Sequence, residues 1–133
     1  MTGAEQDDAR LARGLAVLRA LGQEHVELLQ RLEHVAPDLA RCAIAFGYGD
    51  LQGRSALDLS SRTLVAVASL AAAGASVDQL ALHLRSARAA GWTPAELTEV
   101  LMQLAIHVGF PRAIDALQAL RTVLAAEEEE DAR

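Results

Sequence analysis

The chain has 133 residues, enough for one domain with its own core, and a net charge of −6 that argues against general affinity for nucleic acid or an anionic membrane. Hydrophobic residues make up 52% of the chain but aromatics only 3%, so the core must be Ala, Leu and Val, which suits closely packed helices and not sheets. The single cysteine, Cys42, rules out an intrachain disulfide and any CxxC chemistry, and fits a reducing, cytoplasmic setting. All twelve basic residues are arginine, as the codon bias of a GC-rich genome would produce. The acidic, polar start MTGAEQDDAR is no signal peptide, and no charge-free apolar run reaches the roughly 18 residues that a membrane span needs.

The chain divides by its own punctuation. A polar N-terminus of about nine residues leads into an amphipathic helical region over 5–33, with a break expected at Gly22. Pro37 opens PDLARCAIAF, helical in pattern. GYGDLQGRSALD, 47–58, carries three glycines and predicts a loop or a loosely wound turn. A helix from about Leu59 to Ala73 follows, ended by Gly74; beyond Arg62 it is apolar on every side, which predicts the central buried helix. Ser76 and Gln79 have capping-box spacing and open a helix to about Ala90. Gly91 can close it in the left-handed conformation. Thr93, Pro94 and Glu96 then combine a hydroxyl cap, a proline at the first helical position and a carboxylate at the third. Helices near 94–108 and 111–126 complete the set, separated by Gly109 and Pro111. The tail from about 126 to 133 reads as a solvated, frayed helix end. The expectation is one all-α, multi-helix domain spanning 1–133.

Few residues carry candidate chemistry. His83 shares a stripe with Leu80, Leu84 and Ala87, so it faces inward, either as a core histidine satisfied by a carbonyl or as a functional group. Glu99, Gln103 and His107 form a polar line on a helix with apolar flanks. Such a line belongs to a pocket, a subunit contact or an exposed seam. Arg54, Arg62 and Arg85 stand around the loop–helix junction and His83, and together suit a small anion, since guanidinium grips carboxylate with two parallel hydrogen bonds. Cys42 sits near Ile44 and Phe46 and reads as a buried, inert thiol. No histidine pair has metal-ligand spacing, and GYGDLQG lacks the lysine and preceding strand of a phosphate loop, so no metal is expected.

Three segments, RGLAVLRALGQEHV, GYGDLQGRSALDLSSRTLVAVASL and LALHLRSARAAGWTPAELTEVLMQLAIHVGFPRAIDAL, carry a family resemblance. They combine an acid after a loop glycine, an arginine before a short Leu-Asp and an arginine opening the buried helix. A histidine in an LHL helix, a Thr-Pro-x-Glu restart and a Gly-x-Pro break follow in order. The pattern resembles the γ-carboxymuconolactone decarboxylase family over roughly residues 13–124. The resemblance implies the alkyl hydroperoxidase D-like fold, assembled as a ring of small subunits, a trimer or hexamer. The redox branch of that superfamily carries CxxC where Ser76 and Gln79 stand here, so thiol peroxidase chemistry is the less favoured alternative.

What the resemblance implies is a carboxy-lyase of aromatic catabolism, of the β-ketoadipate type, that needs no cofactor. It removes CO2 from a carboxylated muconolactone, and the unsaturated lactone carbonyl holds the electrons left behind. The protein must then hold carboxylate, stabilise an enolate oxygen and protonate carbon. On this scheme His83 is the catalytic acid or base, Arg54 and Arg62 clamp the substrate, and Tyr48, Asp50 and His107 line the pocket. The decarboxylase branch usually has Trp at the positions of Tyr48 and Gln52 and Tyr at that of His107. The other alternative is therefore a paralogue with altered or lost chemistry, a tailoring enzyme or a binding protein.

Overall fold

A computed structural model describes residues 1–133 and contains only helices and turns. The helices are α1 (Gly3–Leu21), α2 (Gln23–Glu33), α3 (Pro37–Cys42), α4 (Leu59–Ala73), α5 (Val77–Ala89), α6 (Pro94–His107) and α7 (Phe110–Asp131). Between α3 and α4 lies a π-helical stretch, Ala43–Gln52. None of the helices is long and apolar enough to cross a membrane. The backbone forms two compact units, Met1–Leu59 and Ser60–Arg133.

Local chemistry sets most boundaries. Thr2 caps α1, and Glu5 reaches back to the Thr2 backbone, so that helix already begins at Gly3 within the polar N-terminus. Gly22 breaks the first helical region at φ 125°. Thr93 and Glu96 form the same reciprocal box at the start of α6, with Pro94 behind the cap. At α5 only the hydroxyl half is made: Ser76 accepts from the Gln79 amide. Gly74, Gly91 and Gly109 follow α4, α5 and α6 with positive φ, which costs glycine little.

In the first unit α1 packs along the π stretch. Leu18, Leu29 and Ile44 are its buried centre, flanked by Leu11, Leu15, Val26 and Tyr48. The backbones come close because two glycines face the seam. A Cβ at Gly14 would collide with the Ile44 carbonyl, and one at Gly49 would stand 2.6 Å from the Arg10 carbonyl. The glycine-rich segment expected as a loop or a loosely wound turn is half helical: residues 47–52 are wound with wide π turns, and only 53–58 form turns, bends and irregular backbone. Close backbone packing on α1 holds a segment that glycine content alone would leave unwound.

In the second unit α7 is the common partner, packing on both α5 and α6. It buries Ala113, Ala116, Ala119, Leu120 and Val123, spaced three to four residues apart. Opposite them stand Leu80, Leu84 and Ala87 of α5 and Leu97, Leu101 and Leu104 of α6. The apolar helix α4 is not the most deeply buried one, contrary to its composition. It buries only Thr63, Val67 and Ala71, and Val65 is 55% exposed. Alanines carry too little area to force burial, whereas the leucines of α5 and α6 do. A polar clasp joins three helix ends. The Trp92 indole N–H donates to the Ser60 carbonyl at 2.9 Å, and Arg88 donates to the Trp92 carbonyl at 2.8 Å and to Glu127 at 2.9 Å. The acidic tail is thus partly docked: α7 continues to Asp131, and Glu127 is paired and not merely solvated.

The Gly14 seam makes a direct prediction. Gly14→Val should destabilise the protein by about 1–3 kcal/mol through overpacking, read as a lowered urea midpoint, while a valine at Gly3, where nothing lies within 4 Å, should change little.

Candidate active site

His83 is carried by α5 among the buried residues Leu80, Ala81, Leu82, Leu84, Ser86 and Ala87, and is itself half-buried. Burial holds its imidazole below the ordinary value of 6.5, so the neutral ring dominates at neutral pH. Arg62 lies in the first turn of α4 and is half-buried, as is Arg85 on α5. Ser76 and Gln79 serve as a helix start, and the hydroxyl that occupies the first thiol position accepts a backbone hydrogen bond.

His107 is the last residue of α6 and is exposed. With Gln103 it lines an open hollow of about 320 Å³ whose remaining wall is Ala68 and Ala72 of α4 and Val100, Leu104 and Val108. Glu99 is exposed and does not line that hollow, so the Glu99–Gln103–His107 line is an exposed seam with a pocket at one end. Neither Arg62 nor His83 lines it.

The other candidates belong to the first unit. Tyr48 lies edge-on to His25, with ring centroids 6.4 Å apart and planes at 85°. Burial pushes its hydroxyl above the ordinary value of 10.0, which keeps the phenol neutral. Asp50 is held by Arg10, whose Nη2 donates to Oδ2 at 2.6 Å and whose Nε donates at 2.9 Å, with Arg13 at 3.5 Å. Hydrogen bonds from Arg10 keep the Asp50 carboxyl below its ordinary value of 3.8. Sequence reasoning missed Arg10 and Arg13 as partners of Asp50, because the contacts span 40 and 37 positions. Arg54 is exposed in the turn after the π stretch, where its amide donates to the Leu51 carbonyl.

Cys42 is exposed, not buried. Ala40 and Ile44 turn inward, and a residue two positions from each falls on the opposite side of the helix. The thiol stands in a shallow hollow with Asp7, Arg10, Asp38, Arg41 and Phe46. No group of three or more His, Cys, Asp or Glu side chains is placed to hold a metal ion.

Comparison with known proteins gives this arrangement its class. The sequence profile of the carboxymuconolactone decarboxylase family matches residues 37–122. The chain belongs to that family, in the form that has no CxxC pair. It is 31% identical over 119 residues, 88% of each chain, to the 4-carboxymuconolactone decarboxylase of Acinetobacter baylyi (strain ATCC 33305 / BD413 / ADP1). It is 30% identical over 108 residues, 80% of each chain, to an uncharacterized 15.0 kDa protein of Paracoccus denitrificans.

His83 sets a pH dependence. Its folded pKa lies below 6.5, so just below pH 6.5 the unfolded chain binds more protons than the folded one. Stability should therefore rise with pH through that window, level off above 6.5, and fall as pH drops toward the folded value. In urea titrations between about pH 5 and 7, His83→Gln should flatten this slope. An unchanged slope would show that His83 titrates alike in both states.

Proposed function

We propose that the chain, acting as a single domain, is a cofactor-independent decarboxylase of a carboxylated muconolactone or a similar small lactone. The observation that carries this reading is the match to a decarboxylase over 88% of both chains. The half-buried His83, with its neutral ring favoured, suits a group that takes up a proton and gives it back. In the reaction the C–CO2 bond breaks, its electron pair moves through the unsaturated lactone to the carbonyl oxygen, and carbon is then protonated. Arg54 and Arg62 would hold carboxylate, and His83 would supply the proton. Tyr48, Asp50 and His107 would line the pocket, with Asp50 acting through Arg10 and Arg13. Because burial favours the neutral imidazole, turnover limited by His83 as an acid should decline as pH rises through its lowered pKa.

His83→Ala should cut turnover of carboxymuconolactone roughly 100-fold or more and leave the melting temperature nearly unchanged. A lowered melting temperature with full activity per folded molecule would instead make His83 a core residue. His107→Tyr, alone or with Gln52→Trp, restores the residues usual in the decarboxylase branch and should raise activity on that lactone.

A second reading, a paralogue with altered substrate, is favoured by the hollow at His107. No arginine lines that hollow, and apart from Gln103 and His107 its walls are apolar, which suits a less charged ligand than a dicarboxylate. If the wild type leaves carboxymuconolactone untouched while His107→Tyr consumes it, this second reading is the better one.

The working form we propose is a ring, a trimer or hexamer. In the second unit Met102, Ile106 and Phe110 are 50%, 76% and 69% exposed, large apolar side chains that a subunit contact would cover. Light scattering at micromolar concentration should give a trimer or hexamer mass, and a monomer would count against the ring.

A further inference from the structure

Arg112 breaks a local rule. It is the third residue of α7, a helix whose first turn carries no acidic side chain. Amide dipoles make that end of a helix positive, so a carboxylate is favoured there and a guanidinium is not. Asp115 follows three positions later, a spacing at which opposite charges ordinarily pair across a helix turn. Arg112 and Asp115 make no ion pair with each other or with any other residue. The guanidinium instead lies over Gly74, in the space that a Cβ at that position would occupy. Gly74 closes α4 at φ 74°, so one glycine serves both the turn and the seat of the arginine. The negative end of α4 helps to hold the guanidinium there, with its N–H groups still available.

Arg112 and Asp115 line one hollow of about 330 Å³, next to the α4–α5 turn. Its floor is the buried residues Ala71, Leu80, Ala116 and Ala119, and the two charges stand at its exposed rim. A small apolar floor under two separated and opposite charges complements a molecule of the same pattern. We infer that this hollow binds a free α-amino acid with a short aliphatic side chain. Arg112 takes the carboxylate in its fork, Asp115 takes the ammonium, and the side chain lies on the alanines and Leu80. A simple carboxylate would meet Asp115 as a like charge, and a simple amine would meet Arg112. The inference goes beyond the decarboxylase reading, since none of the residues assigned to the lactone lines this hollow.

The test is calorimetry on the full chain near neutral pH with L-valine and L-leucine, each against its halves. For valine these are 3-methylbutanoate, which lacks the amine, and 2-methylpropylamine, which lacks the carboxylate. At least one amino acid should bind at about millimolar concentration or below, with each half roughly tenfold weaker or more. Arg112→Gln and Asp115→Asn should each weaken binding by roughly tenfold or more and leave the circular dichroism melt unchanged. No heat from either amino acid up to about 10 mM would overturn the inference. So would 3-methylbutanoate binding as well as valine, or Asp115→Asn tightening or preserving the affinity.

Discussion

Close approach of helices through small side chains is the constraint on which both compact units depend. With 3% aromatics there is little bulk to fill wide gaps, so helix axes must come near enough for Ala, Leu and Val to close the space. In the first unit this is achieved by Gly14 and Gly49, which let the backbones of α1 and the π stretch meet. In the second unit it is achieved by Ala113, Ala116 and Ala119 of α7, set against leucines of α5 and α6. A leucine opposite an alanine fills the same depth as two medium side chains would, with fewer rotamers to fix.

Arginine then fastens what the small residues bring together. Each unit carries a forked arginine–carboxylate contact between distant segments, Arg10 with Asp50 and Arg88 with Glu127. Neither pair is deeply buried, so each acts more by setting register than by adding much stability. A planar guanidinium that holds both carboxylate oxygens fixes an angle as well as a distance, which a lysine ammonium would not.

Burial acts on two of the candidate site residues in the same sense. It lowers the pKa of His83 and raises that of Tyr48, and in both cases the neutral form is favoured. Neutral groups can donate hydrogen bonds to an enolate, and the neutral imidazole can take up a proton, but they offer no charge to a carboxylated substrate. On the proposed chemistry that task falls to arginine, whose charge persists under any burial this protein provides.

The capped and glycine-closed helix boundaries and the family were legible in the residues themselves. Capping at Thr93 and Glu96, the left-handed closures at Gly74, Gly91 and Gly109, and the break at Gly22 are set within one turn of chain, so local chemistry determines them. The family's ordered motifs are likewise a property of the string. Facts that depend on distant partners were not legible. Asp50 meets an arginine 40 positions away, Glu127 meets one 39 away, and the glycine-rich segment winds into a π-helix because α1 lies against it. Burial failed for the same reason. Cys42 has apolar neighbours in sequence and stands exposed, whereas α4 is apolar all round yet buries only three residues. Periodicity shows which residues share a face, but which face is covered depends on the helices that pack there, and only the tertiary structure decides that.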